Sequence, residues 1–202
     1  MNFDVLIIGG GAAGMSCALV LGSGLSRPYA QDKKLGIIMH QKASHLQTAL
    51  FNNVLGIAPG TTGREILISG AEQLRTQYPQ VEQIQKEKVQ EIRFLEEGFQ
   101  VVTNKNEYAA KKVVIAVGYT NLFGIKGLQD YVIPHAKTKA EKNRIQLKNE
   151  DHLIAPGLYV AGTLAGHRSQ YSIACGSGAA VATDILTDWN EGEHTKVHDK
   201  LK

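Results

Sequence analysis

Asp4-Val5-Leu6-Ile7-Ile8-Gly9-Gly10-Gly11-Ala12-Ala13-Gly14 decides how the rest of the chain is read. Val5 to Ile8 is an apolar run without polar alternation, the pattern of a strand buried on both faces of a parallel sheet. Gly9-x-Gly11-x-x-Gly14 follows at once, and Ala12 to Leu21 reads as a helix of small and apolar residues closed by Gly22-Ser23-Gly24. A polar loop, Ser26 to Lys34, leads to a second strand, Leu35 to Met39, completing a βαβ unit. In that context each glycine has a task. Gly9 permits the tight turn, Gly11 lets a diphosphate approach the backbone, and Gly14 lets the helix pack on the strand. The helix start, at Ala12 and Ala13, offers free N–H groups and the positive end of its dipole to the anion. A glycine turn without a ligand is the alternative. The pattern usually places an acidic residue after the second strand to hold a ribose hydroxyl; here His40 and Gln41 stand there. Either can bond a hydroxyl. A surface histidine after a strand reads equally well.

Working outward, Thr62-Gly63-Arg64-Glu65 has the form of a capping box, opening a helix with apolar residues at Ile66, Leu67, Ala71 and Leu74 and stopped by Pro79. Strands are expected at Val81–Gln85, Val89–Leu95, Phe99–Thr103 (a hairpin around Glu97-Gly98), Val113–Val117 and Leu158–Ala161. Residues 119–150 read as irregular and polar, Ser172 to Trp189 as a long helix, and the charged end from Asn190 as frayed. The fold class is α/β, a central parallel sheet with a three-stranded β-meander on one side. One domain is expected over 1–190, with a tail over 191–202.

The bulk composition excludes several classes. The 202 residues are 43% hydrophobic and 20% charged, an ordinary globular balance. A net charge of +3 spread along the chain does not describe a nucleic-acid binder. Two cysteines, Cys17 and Cys175, are too few and too far apart for a disulfide framework or zinc site, so no metal is expected and a reducing cytoplasm is. Nothing resembles a secretory signal, and no apolar run reaches the roughly 20 residues of a membrane helix.

Several motifs in order resemble the flavin domain of low-molecular-weight thioredoxin reductases, within the FAD-dependent pyridine nucleotide-disulfide oxidoreductases. They are the opening strand and glycine turn, Asn53-Val54-Leu55-Gly56 with Thr62-Gly63-Arg64-Glu65-Ile66-Leu67, Val113 to Gly118, Pro156 to Thr163, and Gln170 to Gly178. The likeness runs from about Phe3 to Trp189. It implies a Rossmann-like FAD-binding domain and a role for each segment. Gly9, Gly11, Ala12, Ala13 and Gly14 would cradle the FAD diphosphate. His40 and Gln41 would lie near the adenosine ribose, and Val89 would present its backbone to adenine. His45 and Asn53 would fall on the flavin side, and Gly118 would pass close to the cofactor. Gly162 and Thr163 would lie under the ribityl chain, and Gln170, Tyr171 and Ser172 beside the ring system. A homodimer is also implied.

Two departures limit the transfer. The family's aspartate after Ala-Gly is Thr163 here. The family also inserts a whole NADPH domain after its Ala-Thr-Gly strand, with a second glycine motif and a Cys-x-x-Cys. Here only 119–150 stands in that place, with neither. Reduction of thioredoxin itself is therefore not expected, and no catalytic residue is assigned. The leading expectation is an FAD oxidoreductase with an external small-molecule or protein electron donor. Its rivals are a non-catalytic FAD or redox-sensing module and a subunit needing a separate NAD(P)H-binding partner. Cys17 and Cys175 read as buried packing residues or as a redox pair. His167 and Arg168 read as an anion site or a solvated loop.

Overall fold

The computed structural model describes residues 2–40 and 44–198. β1 (Asn2–Ile8), α1 (Ala12–Gly24) and β2 (Leu35–Met39) form the expected βαβ unit. A two-residue ladder of β3 (Leu50–Phe51) and β4 (Thr61–Thr62) precedes α2 (Gly63–Gln77). Then come β5 (Val81–Gln85), β6 (Val89–Phe94), β7 (Phe99–Thr103) and β8 (Glu107–Ile115). A short antiparallel pair, β9 (Val132–Pro134) and β10 (Ile145–Leu147), leads to β11 (Leu153–Ala155), β12 (Leu158–Val160) and α3 (Tyr171–Trp189).

The main sheet runs β11-β12-β8-β1-β2-β5. Strands β12, β8, β1, β2 and β5 are parallel, in a register that sets Ile7 opposite both Ile37 and Val114. The central stretches Val5–Ile8, Leu35–Met39 and Val113–Ile115 are apolar throughout because both faces are covered. Val5, Ile7, Leu35, Ile37 and Val114 face α1 and α3, while Phe3, Leu6, Ile38, Val113 and Ile115 face the meander and the β9–β10 hairpin. This is why strand periodicity is missing from these segments.

β8 differs from the sequence expectation. It begins at Glu107 rather than Val113 and ends at Ile115. It is both the third strand of the meander and a strand of the parallel sheet. One edge pairs with β1 along its length; the other pairs antiparallel with β7 near Ala109–Ala110 and parallel with β12 from Val113. β5 pairs with β2 and so belongs to the parallel sheet, leaving β6, β7 and β8 as the meander. The segment read as irregular carries β9 and β10. Its neighbour β11 is likewise absent from the sequence reading. Nor is the end of the chain all frayed: Asn190 donates to the Glu193 carbonyl, Thr195 is buried and Val197 packs on the core. Residues 199–202 lie outside the described residues.

The capping box of α2 is complete. The Thr62 hydroxyl accepts from the Glu65 N–H at 3.2 Å, and the Glu65 carboxylate accepts from the Thr62 N–H at 2.7 Å. Thr62→Ala is expected to lower stability by about 1 kcal/mol. A denaturant midpoint checks this; an unchanged midpoint would mean that α2 is held by packing alone.

Candidate functional site

The C-terminal ends of β1, β2, β8 and β12 surround a cavity of about 590 Å³, within the ordinary range for small-molecule and cofactor sites. The position follows from the topology, since open parallel sheets bind ligands outside the carboxyl ends of their strands. At one end are His40, Glu87, Lys88 and Val89; along the floor are Gly9 to Ala13, Val117, Gly118, Gly162 and Thr163; at the other end are His45, Phe51, Gln170, Tyr171 and Ala174.

The glycine turn is shaped for an occupant. Gly9 has φ of +117°, and a Cβ there would lie 2.4 Å from the Ala116 carbonyl oxygen. Gly14 does not line the cavity. It lets α1 sit against the turn, where a Cβ would fall 1.8 Å from the Gly9 carbonyl oxygen. At Gly11, by contrast, a Cβ would meet nothing within 4 Å, so the space beside it is open. α1 begins there with no side-chain cap and no acid in its first turn, and α3 begins the same way at Gln170. Two helix N-termini, each the positive end of a dipole, therefore meet the cavity.

Besides Gly14, two expected residues lie elsewhere among the described residues. Asn53 is exposed on the loop that the β3–β4 ladder turns outward, a loop closed by Asn52, which accepts from the Gly60 N–H at 2.8 Å. Ser172 is exposed because one helical step carries it off the Tyr171 face. Gln41 lies outside the described residues. His167 and Arg168 do not line the cavity. Arg168 is exposed, and His167 turns to His152, its Nε2 3.1 Å from that residue's Nε2. Burial, the neighbouring His152 and Lys137 lower the pKa of His167. Ser177 ties this pair to the cavity floor: its Oγ accepts from the Gly162 N–H at 2.7 Å and lies 2.9 Å from His152 Nε2. Cys17 is fully buried, and burial pushes its thiol pKa well up; Cys175 is half-buried beside Tyr171, and both are free thiols.

The structure adds wall residues that the sequence did not mark. Tyr119 is buried at the cavity wall, edge-on to His45 at 5.7 Å and to His135 at 5.3 Å, with the Arg144 guanidinium 5.1 Å from its ring centre. His135 Nε2 is 3.1 Å from the Thr163 carbonyl oxygen, and its Nδ1 accepts from the Lys137 N–H. A carbonyl only accepts, so the ring proton sits on Nε2. The β9–β10 hairpin, through His135, thus props Thr163 from behind. No sequence spacing links His135 to Thr163; only the hairpin brings them together.

Glu87 is the other unmarked group. It is buried and accepts from the Thr103 hydroxyl at 2.6 Å, the Asn106 amide at 2.7 Å and the Tyr108 hydroxyl at 3.1 Å. Burial alone would raise its pKa, but these donors hold it below the ordinary carboxylate range. The depressed pKa means that the ionised form stabilises the fold above the unfolded-state value of about 4.3, and that this contribution is lost as pH falls through the lower folded value. Glu87→Gln is expected to cost about 1–3 kcal/mol at neutral pH, by setting an amide N–H₂ against donors. Its stability should also fall less steeply than wild type on acidification below about pH 4. Parallel acid denaturation curves would contradict this.

The profile of the pyridine nucleotide-disulphide oxidoreductases matches residues 3–178. The chain belongs to that family. No curated protein matches it. Among solved structures, a thioredoxin reductase from Gloeobacter violaceus superposes with a TM-score of 0.73 at 14% identity, over 100% of this chain and 99% of that one. An oxidoreductase from Agrobacterium tumefaciens gives 0.70 at 15%, over 96% and 100%. A ferredoxin-flavin thioredoxin reductase from Clostridium acetobutylicum gives 0.67 at 17%, over 94% and 99%. At these identities the likeness establishes the fold alone, a thioredoxin reductase-like α/β architecture. Where the sequence resemblance places the family's nicotinamide domain, this oxidoreductase-family chain has the β9–β10 hairpin. Among the described residues, no helix is long and apolar enough to cross a membrane.

Proposed function

We propose that this chain binds FAD and is a flavin-dependent oxidoreductase whose electrons come from outside the chain. The observation that carries the reading is the cavity itself, open at Gly11 and met by two uncapped helix N-termini. The glycine turn and the start of α1 would hold the diphosphate. His40, Gln41 and the Val89 backbone would hold the adenosine end, and Gly118, Gly162 and Thr163 the middle. Gln170 and Tyr171 would flank the ring end, where the α3 N-terminus favours negative charge. Thr163 offers a hydroxyl where the family has a carboxylate, and His135 fixes the backbone that presents it. FAD, when bound, supplies two-electron and one-electron chemistry; the protein supplies placement and field.

The β9–β10 hairpin has no glycine fingerprint and no cysteine pair. That supports a separately supplied donor over nicotinamide binding within the chain, and it argues against thioredoxin as acceptor. A compartment with reduced thiols and a homodimer remain part of the proposal. Anaerobic titration of the flavin-loaded protein tests the donor. Photoreduction should bleach the flavin, and NADPH or NADH alone should not. Rapid bleaching by either nucleotide would contradict the external-donor reading.

A further inference from the structure

The hairpin beside the cavity is strongly basic. Between Ile133 and Lys148 the chain carries Lys137, Lys139, Lys142, Arg144 and Lys148, against one acid, Glu141. Lys137, Lys139 and Lys142 are exposed, and none of these cations is ion-paired among the described residues. Elsewhere on the surface cations do find acids, as Arg75 does with Glu72, Arg93 with Glu91, and Lys112 with Asp188. The hairpin is fixed to the cavity rim at several points. His135 bonds the Thr163 carbonyl, Arg144 lies over Tyr119, and the Gln146 side chain abuts Gly166. Lys137 lies close enough to His167 to lower its pKa, and exposed Arg168 follows directly, two residues before Gln170 at the ring end.

We propose that this hairpin, with Arg168, is the docking surface for a small acidic electron-carrier protein that reduces the flavin. The inference rests on the flavin reading and names its donor class. Charge selects the partner. A patch of unpaired cations raises the local concentration of an anionic protein and orients it, and screening weakens this over a Debye length of about 10 Å at 0.1 M salt. Placement favours a protein over a small anion: Lys137, Lys139, Lys142 and Arg168 are exposed on the hairpin and its neighbouring loop and do not line the cavity. Electron balance is simple. Two reduced one-electron carriers each give one electron, solvent supplies the proton, and two oxidised carriers leave.

The test is titration calorimetry of the purified chain with an acidic two-iron two-sulfur ferredoxin, at low and high salt, for wild type and for Lys137→Glu/Lys139→Glu/Lys142→Glu. These side chains are exposed, so folding and flavin content should be unchanged, and photoreduction should proceed as in wild type. Binding should weaken by about tenfold or more in the triple variant and fall steeply with salt. Equal affinity for both proteins, no binding at low salt, or a salt-dependent site that takes NADPH and not the ferredoxin would each overturn the proposal. A chain that takes up no FAD yet binds the ferredoxin through these lysines would fail the flavin reading and keep the surface.

Discussion

Gly14→Ala should unfold the protein or leave it too unstable to purify. The added methyl would sit 1.8 Å from the Gly9 carbonyl oxygen and 3.0 Å from its carbon. Both belong to the backbone of a turn that is itself pinned: the Gly9 N–H donates to the Ile38 carbonyl at 2.9 Å, and space for a Cβ at Gly9 is blocked by Ala116. Neither side can give way without moving α1 off β1. Forced overpacking costs about 1–3 kcal/mol and sometimes more. A clash between two backbones is expected at or above the top of that range, against a total stability of about 5–15 kcal/mol. Gly11→Val is the matched control. Gly11 has φ of −80° and ψ of −169°, extended backbone open to any residue. Gly11 lines the cavity, and a Cβ there would meet no protein atom within 4 Å. The expected result is an unchanged melting temperature with FAD affinity lost. Thermal melts and flavin titrations of both variants check the pair. A stable, flavin-binding Gly14→Ala protein would contradict the packing role assigned to Gly14.

Gly178→Ala carries the second large effect. α1 and α3 cross so closely that a Cβ at Gly178 would fall 1.9 Å from the Ala13 carbonyl oxygen and 2.7 Å from its carbonyl carbon. Alanine favours a helix over glycine by about 1 kcal/mol, so local propensity predicts a gain. The clash must outweigh it, because the helices can separate only by giving up contact between Val181, Ala182 and Ile185 and the core beneath them. A net loss of about 2 kcal/mol or more is expected. The same shift would carry Gln170, Tyr171 and Ala174 away from the cavity, so flavin affinity should fall with stability. A variant more stable than wild type would show that the helix gap yields more easily than the geometry implies.

What the sequence showed and what it hid divide along physical lines. β1, α1 and β2 were readable because buried parallel strands and a glycine turn leave local signatures, and the Thr62 cap because its partners are three residues apart. The double role of β8 was not. One of its edges changes partner between Ala110 and Val113, a matter of what lies beside the strand rather than in it. Of the expected cavity residues, Gly9, Gly11, Ala12, Ala13, Gly162, Thr163, Gln170 and Tyr171 line it together with His40, His45, Val89 and Gly118, while Gly14 packs behind the turn. Asn53 and Ser172 point elsewhere, since position in a motif does not fix direction on a loop or helix. Glu87, Tyr119 and His135 were hidden because their partners are far along the chain: Glu87 meets Thr103, Asn106 and Tyr108 only through the meander. A lone histidine or glutamate carries no such pattern.

The most direct measurement is the visible spectrum of the purified chain after incubation with FAD and removal of the excess. Near-stoichiometric flavin bands that are missing from Gly11→Val would be the predicted result. A protein that melts as a folded domain and stays colourless at saturating FAD would contradict it, leaving the cavity without the cofactor for which it is proposed.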